Sequence, residues 1–345
     1  MTPHRPGADG PRGRPVGSGG VTDLEGLPEG ALRTVDGTTV ALVAPHAGLD
    51  RLPEAVGALR GLRRVDLDGN ALTGLPAGVT GLPHLETLLL YGNRLTEVPA
   101  GLDRAAALRH LSLGGNRLTS VPDTLWRLTG LRSLNLAENA LTHVPEAVGR
   151  LTELRMLDLG HNRLDRVPEA VGDLPHLTDY LYLSDNGLTS VPASLGRLDR
   201  LDYLNLTDNR LTALPPEIGG MAALCELRLY NNRLEALPDT IGRLSRLREL
   251  HLAGNRLTAL PGSVGDLRRL RVLDLRGNPL ERLPASVGRL TDLTCLDLRA
   301  TRLRELPDGL GALPRLERLD LRWTKPDRLP DWIDALRGRG CRVLL

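Results

Sequence analysis

"LRSLNLAENALTHVPEAVGRLTE", residues 131–153, decides the fold. Leucine stands at 131, 134, 136, 141 and 151 with Asn139 and Pro145 between, and the same phrase returns along most of the chain. Asparagine recurs at Asn70, Asn93, Asn116, Asn139, Asn162, Asn186, Asn209, Asn232, Asn255 and Asn278, a step of 23 residues with one step of 24 between Asn162 and Asn186. Proline keeps the same beat from Pro53 to Pro330, which extends the array to about thirteen turns. At the two beats beyond Asn278 the asparagine is replaced by Thr301 and Thr324. Periods of this length mark a solenoid, because one such unit cannot bury its own apolar face and must stack on its neighbours.

The unit reads L-x-x-L-x-L-x-x-N-x-L-x-x-L-P-x-x-V/I/L-x-x-L. Alternation in L-x-L turns the leucines into a core and the intervening residues outward. Stacked, these short strands form a parallel sheet with rungs about 4.8 Å apart. The asparagine sits where the chain leaves the strand, and its amide both donates to and accepts from backbone groups that the bend leaves unpaired. Threonine does only part of this. Proline then fixes φ at the start of a short helical turn, such as "PEAVGRL" at residues 145–151, which builds the opposite wall. That wall is bulkier than the sheet, so the expected architecture is an α/β horseshoe with the parallel sheet on its concave side and helical turns on its convex side.

This unit resembles the leucine-rich repeat. The 23-residue period and the "LPxxVGxLxxL" phrase are similar to the intracellular Ras-group-related proteins of plants, the Ras-pathway scaffold repeats of animals and their bacterial counterparts, over roughly residues 40–345. The ending "LPDWIDALRGRGCRVLL", residues 329–345, resembles the terminal cap of bacterial members. The resemblance implies a binding scaffold without catalysis and puts a small GTPase among the candidate partners, with no residue of this chain matched to that role. Exported ubiquitin-ligase effectors also carry such repeats, but with a period near twenty and an added domain holding a nucleophilic cysteine. Neither feature is present.

Residues 1–20, rich in Gly, Pro and Arg, read as a disordered tail. Residues 21–46 read as an N-terminal cap, either a hairpin turning at Asp36-Gly37 or a degenerate first repeat begun by "LEGLPEG". The repeats run over 47–325, and 326–345 form a C-terminal cap in which Trp332, Ile333 and Leu336 share one helix face. The 44 basic and 42 acidic residues nearly cancel, leaving no field to hold nucleic acid or an anionic membrane. Cys225, Cys295 and Cys341 are too scattered for a disulfide framework or a zinc site. Without an apolar leader or a membrane-length run, a monomeric cytoplasmic protein is expected. An effector exported by another route and binding a host protein, or an enzyme of unrecognised type, is the alternative. The absence of Phe and the single lysine, Lys325, suggest a GC-rich bacterial genome.

No phosphate loop, H-E-x-x-H or G-x-S-x-G motif is present. His110 and His251 face the concave side six rungs apart, about 29 Å at the sheet spacing, so they cannot share a metal. No cofactor or metal is expected. Glu226 and Arg228 on one rung with Glu249 and His251 on the next come nearest to an acid–base group, but an open sheet encloses nothing, and a contact patch is the better reading. The five tyrosines, Tyr91, Tyr180, Tyr182, Tyr203 and Tyr230, all take outward positions. Large aromatics with a polar tip suit a protein-binding surface. Together with Asp158, Asn205, Glu226, Arg228, Glu249 and His251 they form the expected concave contact face, with the tyrosines exposed. The extra residue between Leu177 and Leu181 is either a bulge that tilts Asp179 and Tyr180 onto that face or a neutral insertion in a connecting turn.

Overall fold

The computed structural model describes residues 24–345, so the tail of residues 1–20 lies outside the described residues. Among the described residues fifteen strands form one sheet in sequence order. They begin with β1 (Leu32–Val35), β2 (Thr38–Val43), β3 (Arg64–Asp66), β4 (Thr87–Leu89), β5 (His110–Ser112), β6 (Ser133–Asn135), β7 (Met156–Asp158) and β8 (Tyr180–Tyr182). They continue through β9 (Tyr203–Asn205), β10 (Glu226–Arg228), β11 (Glu249–His251), β12 (Val272–Asp274), β13 (Cys295–Asp297), β14 (Arg318–Asp320) and β15 (Arg342–Leu344). Among the described residues only the β1–β2 pair is antiparallel. The two readings of the front end meet here. β1 and β2 are a hairpin turning through Asp36 and Gly37, both at positive φ, while β2 is also the first rung, pairing Ala41, Leu42 and Val43 with Arg64, Val65 and Asp66.

From β4 to β14 each three-residue strand turns its middle leucine inward, and β3 turns in Val65. Leu134, Leu157, Leu181, Leu204 and Leu227 are at most 1% exposed, and burying such a side chain contributes about 1.5–3 kcal/mol. The asparagine amide ties neighbouring rungs together. Asn232 Nδ2 donates to Leu206 O of the preceding repeat at 2.9 Å and to Leu229 O and Tyr230 O of its own at 3.2 and 3.1 Å. Its Oδ1 accepts the Leu211 N–H at 3.0 Å. In the last repeats Thr301 and Thr324 share a hydroxyl chain that reaches Leu298 O. A single hydroxyl reaches fewer groups than an amide.

The convex wall is built of 3-10 turns, most of them entered through a proline, such as Glu146–Arg150 and Pro216–Gly220, with the four-residue α1 (Ala77–Thr80) among them; Leu102–Arg104 and Leu125–Arg127 follow Gly101 and Thr124 instead. The glycine of each "VGxL" or "IGxL" phrase serves close approach. A Cβ on Gly242 would lie 2.4 Å from Ser263 O, and one on Gly172 would lie 2.2 Å from Ser194 O. At the far end α2 (Trp332–Gly338) buries Ile333 and Leu336, Trp332 packs half-buried over Gly311, and β15 extends the sheet.

The extra residue lies just before β8. At an ordinary entry one residue serves both neighbours: Arg132 donates to Arg109 O and accepts from Arg155 N–H. Here Asp179 N–H bonds Arg155 O at 3.0 Å while Thr178 O accepts the Asp202 N–H at 2.8 Å. Two residues stand opposite one, which is a β-bulge. The strand beyond it keeps register, with Tyr180 opposite both Met156 and Tyr203. The expectation that the insertion re-aims Tyr180 is therefore corrected. The bulge absorbs the residue before the strand begins, and Tyr180 takes the same place as in every other rung.

Candidate functional site on the concave face

Tyr180, Tyr182 and Tyr203 form a continuous aromatic strip. Ring centroids are 4.9 Å apart for Tyr180 and Tyr182 and 5.0 Å for Tyr182 and Tyr203, and the Arg228 guanidinium lies over the Tyr203 ring at 5.4 Å. These side chains are half-buried, not exposed as expected, because each covers part of the next. Burial raises the phenol pKa of Tyr180 and Tyr203, and burial followed by the Asp274 charge pushes that of Tyr230 up to about 12. All three stay neutral near pH 7 and keep both a donor and an acceptor at their tips. Tyr91 stands apart on the turn after β4 and donates to Glu138 Oε1 at 2.8 Å.

Asp158 and Asn205 lie on this face but are engaged locally. Asp158 Oδ1 accepts the Gly160 N–H, and Asn205 Oδ1 accepts the Thr207 N–H, both at 3.0 Å. These bonds close the turn that leaves the strand. Asn205 is only 9% exposed, sunk between Tyr182 and Arg228 on the flanking strands. Burial raises the Asp158 pKa above the ordinary carboxylate value.

The register brings Glu226, Arg228, Glu249 and His251 together. Glu226 stands opposite Glu249, and Arg228 opposite His251. His251 Nε2 lies 2.9 Å from Glu249 Oε2 and 3.7 Å from Glu226 Oε1, and its Nδ1 meets the Tyr230 hydroxyl. Arg228 Nε donates to Glu226 Oε1 at 2.5 Å. His110 is exposed on β5, far from this group. Burial pushes the Cys225, Cys295 and Cys341 thiols up, which disfavours the thiolate a nucleophile requires.

One aromatic was not anticipated. Trp323 is 72% exposed and carries φ 61°, a left-handed backbone that a bulky residue rarely adopts. Its position, just before the asparagine beat, is left-handed in every repeat: His46, Gly69, Gly92, Gly115, Glu138, His161, Asp185, Asp208, Asn231, Gly254, Gly277 and Ala300 precede it. Glycine, aspartate and asparagine tolerate that geometry. Tryptophan there is strained and points outward. It lines one end of a shallow groove of about 430 Å³ along the rim, with Tyr230, Asn231, Arg276 and Arg299 further along.

Models of the leucine-rich repeat match residues 60–118, 106–164 and 199–257, and a model of the leucine-rich repeat region matches residues 239–338. A leucine-rich-repeat protein of Leptospira interrogans is 32% identical, with 86% of this chain and 82% of that one covered and a TM-score of 0.73. The chain belongs to the leucine-rich-repeat family. An internalin from Listeria monocytogenes shares the leucine-rich-repeat fold at 22% identity and TM-score 0.78, over 88% of this chain and 86% of that one. PEPR1, solved in complex with AtPEP1, is 25% identical with a TM-score of 0.68, over 92% of this chain and 50% of that one. No curated protein matches the sequence. Leucine-rich-repeat proteins generally serve as protein-interaction scaffolds.

Proposed function

We propose that this leucine-rich-repeat chain is a non-catalytic adaptor that captures a protein partner on the concave face between β8 and β11 and along the adjoining rim. The carrying observation is the aromatic strip: Tyr180, Tyr182 and Tyr203 stack side by side on the open face, with Arg228 laid over the last ring. Tyrosine and arginine in this arrangement present wide, pre-ordered contact area with polar tips, the composition of interface hot spots. PEPR1, which carries the same fold, was solved with AtPEP1 bound, which supports the reading by analogy. The 23-residue phrase supports a place in the intracellular Ras-group-related branch, and the three free cysteines support a reducing cytoplasm. A small GTPase is the partner class that branch suggests.

The test is site-specific photocrosslinking in the native cell lysate. A photoreactive residue replaces Tyr182, Tyr203 or, as a convex control, Arg243. One partner should be captured from both concave positions and not from Arg243. Equal capture from all three positions, or none from the concave pair, overturns the assignment. Fractionation then separates an adaptor, retained in the cell, from an effector found in the medium without lysis.

A further inference from the structure

Glu226 and Glu249 are direct register partners on adjacent parallel rungs, so two carboxylates face one another across a single sheet spacing. Like charges placed directly opposite destabilise a sheet. Here a third group joins them. The His251 side chain is only 10% exposed, and its Nε2 is turned toward both acids, at 2.9 Å from Glu249 Oε2 and 3.7 Å from Glu226 Oε1. One ligand atom from each of the three residues lies within 4.8 Å of the others. An ion holding nitrogen and oxygen ligands at about 2.0–2.2 Å in a tetrahedron spaces them about 3.3 Å apart, and the observed separations straddle that value.

The other ring nitrogen is already accounted for. His251 Nδ1 meets the Tyr230 hydroxyl; when Nε2 coordinates in place of donating to Glu249, the neutral ring carries its proton on Nδ1, which donates it to Tyr230 Oη. An outer partner of this kind fixes ring orientation and tautomer at metal-binding histidines. Asp274, the register partner of His251 on the next rung, adds negative charge. Arg228 opposes it, sharing Glu226 Oε1, and its stacking on Tyr203 leaves it a place to remain when that oxygen turns away.

We propose that Glu226, Glu249 and His251 form a three-ligand site for a divalent transition cation of the zinc class. Its remaining coordination position opens onto the concave channel. One imidazole with two carboxylates suits zinc, cobalt or nickel, whereas calcium takes six to eight oxygen ligands. This site does not depend on the adaptor reading, since a partner could be captured with or without it.

The test is calorimetric titration of the tag-free, chelator-stripped full chain with Zn²⁺, followed by Co²⁺ absorption spectra. One ion per chain is expected, with the intense visible bands of four- or five-coordinate cobalt. Glu226→Gln and Glu249→Gln should each weaken Zn²⁺ binding at least about tenfold, and Tyr230→Phe should weaken it about 10- to 100-fold through the lost outer bond. His161→Asn, which alters an exposed histidine paired with Asp185 on the rim, should leave binding unchanged. Because His251 is buried and its removal threatens folding, the glutamate variants decide. Their thermal melts without metal should match or exceed that of the parent, since each removes one of two facing charges. Less than one equivalent bound by the parent, undiminished binding by both glutamine variants, or the pale spectrum of six-coordinate cobalt overturns the site.

Discussion

On rungs β12 to β14 the concave face carries Asp274, Asp297 and Asp320, each two residues before an arginine; on rungs β8 to β11 the equivalent places hold Tyr182, Asn205, Arg228 and His251. The first stretch satisfies itself. Asp297 takes Arg299 Nε at 2.9 Å, and Asp320 takes Arg322 Nη2 at 2.8 Å and Arg318 Nη2 at 2.9 Å. The second stretch stacks the rings of Tyr180, Tyr182 and Tyr203 and pairs Arg228 and His251 with the neighbouring Glu226 and Glu249. The pairing also tightens along the ladder. Burial raises the Asp274 pKa, whereas at Asp320 burial is outweighed by the hydrogen bonds from Arg322 and Arg318, which hold the carboxyl well below its ordinary value. The deciding neighbour sits two residues earlier, where Val272 and Cys295 give way to Arg318. An identical "LDLR" phrase is thus a half-paired surface at one rung and a closed ion network two rungs on.

The largest effect that sharpens this contrast is Asp320→Ala. The side chain is fully buried, and its loss leaves Arg318 and Arg322 without their carboxylate, costing about 3 kcal/mol by denaturant unfolding at pH 7, the worth of two hydrogen bonds between charged groups. The Asp320 pKa is depressed, so its stabilisation is present above the ordinary value of 3.8 and is lost as pH falls through the lower folded value. The gap between parent and variant should therefore shrink as the solution is acidified below about pH 4. A gap that stays constant with pH contradicts the ion network.

Next comes Tyr203→Ala in the other stretch. Affinity for the captured partner should fall by about 2 kcal/mol, roughly thirtyfold. Folding stability should drop by only about 1 kcal/mol, the worth of its ring and cation contacts. A variant that binds normally but melts far lower would make the strip a stiffener of the sheet.

Asp274→Asn should do less than either. Its pKa is raised, so the stability linked to its proton is present below the ordinary value and lost as pH rises through the folded one. At pH 7 the amide should be neutral or stabilising by up to about 0.5 kcal/mol. A loss above about 1 kcal/mol at pH 7 would show Asp274 to be as firmly paired as Asp320.

The smallest effect is expected from deleting Asp179. Thr178 would then hold both backbone bonds, as Arg132 does in its repeat, and melting temperature and affinity should be unchanged. A loss of binding would show that the bulge shapes the patch after all.

The period, the asparagine ladder and the outward register of the tyrosines can be read from spacing alone, because a solenoid converts sequence interval directly into position. What spacing does not report is how neighbours on one face use each other. Register puts Asp158 and Asn205 on that face, but not that their side-chain oxygens are held by Gly160 and Thr207 two residues on. The tyrosines read as exposed because a single strand shows nothing of the ring stacked from the next rung. A search for a second histidine passes over the acid and histidine group as a candidate metal site. Trp323 had a readable signal: glycine, aspartate and asparagine crowd the place before the asparagine beat, as at Gly69, Gly92, Asp185, Asp208 and Asn231, and tryptophan breaks that preference.

The bulge before β8 bears on how such an array changes length. Tandem copies made by recombination stay in phase only if every unit has the same number of residues or an odd one can be accommodated on the spot. Between Leu177 and Leu181 an added codon is taken up within one peptide unit, and the next strand resumes at the old phase. Strand entry is therefore a place where units of unequal length can be joined, by drift or by design, with every later rung left in its frame.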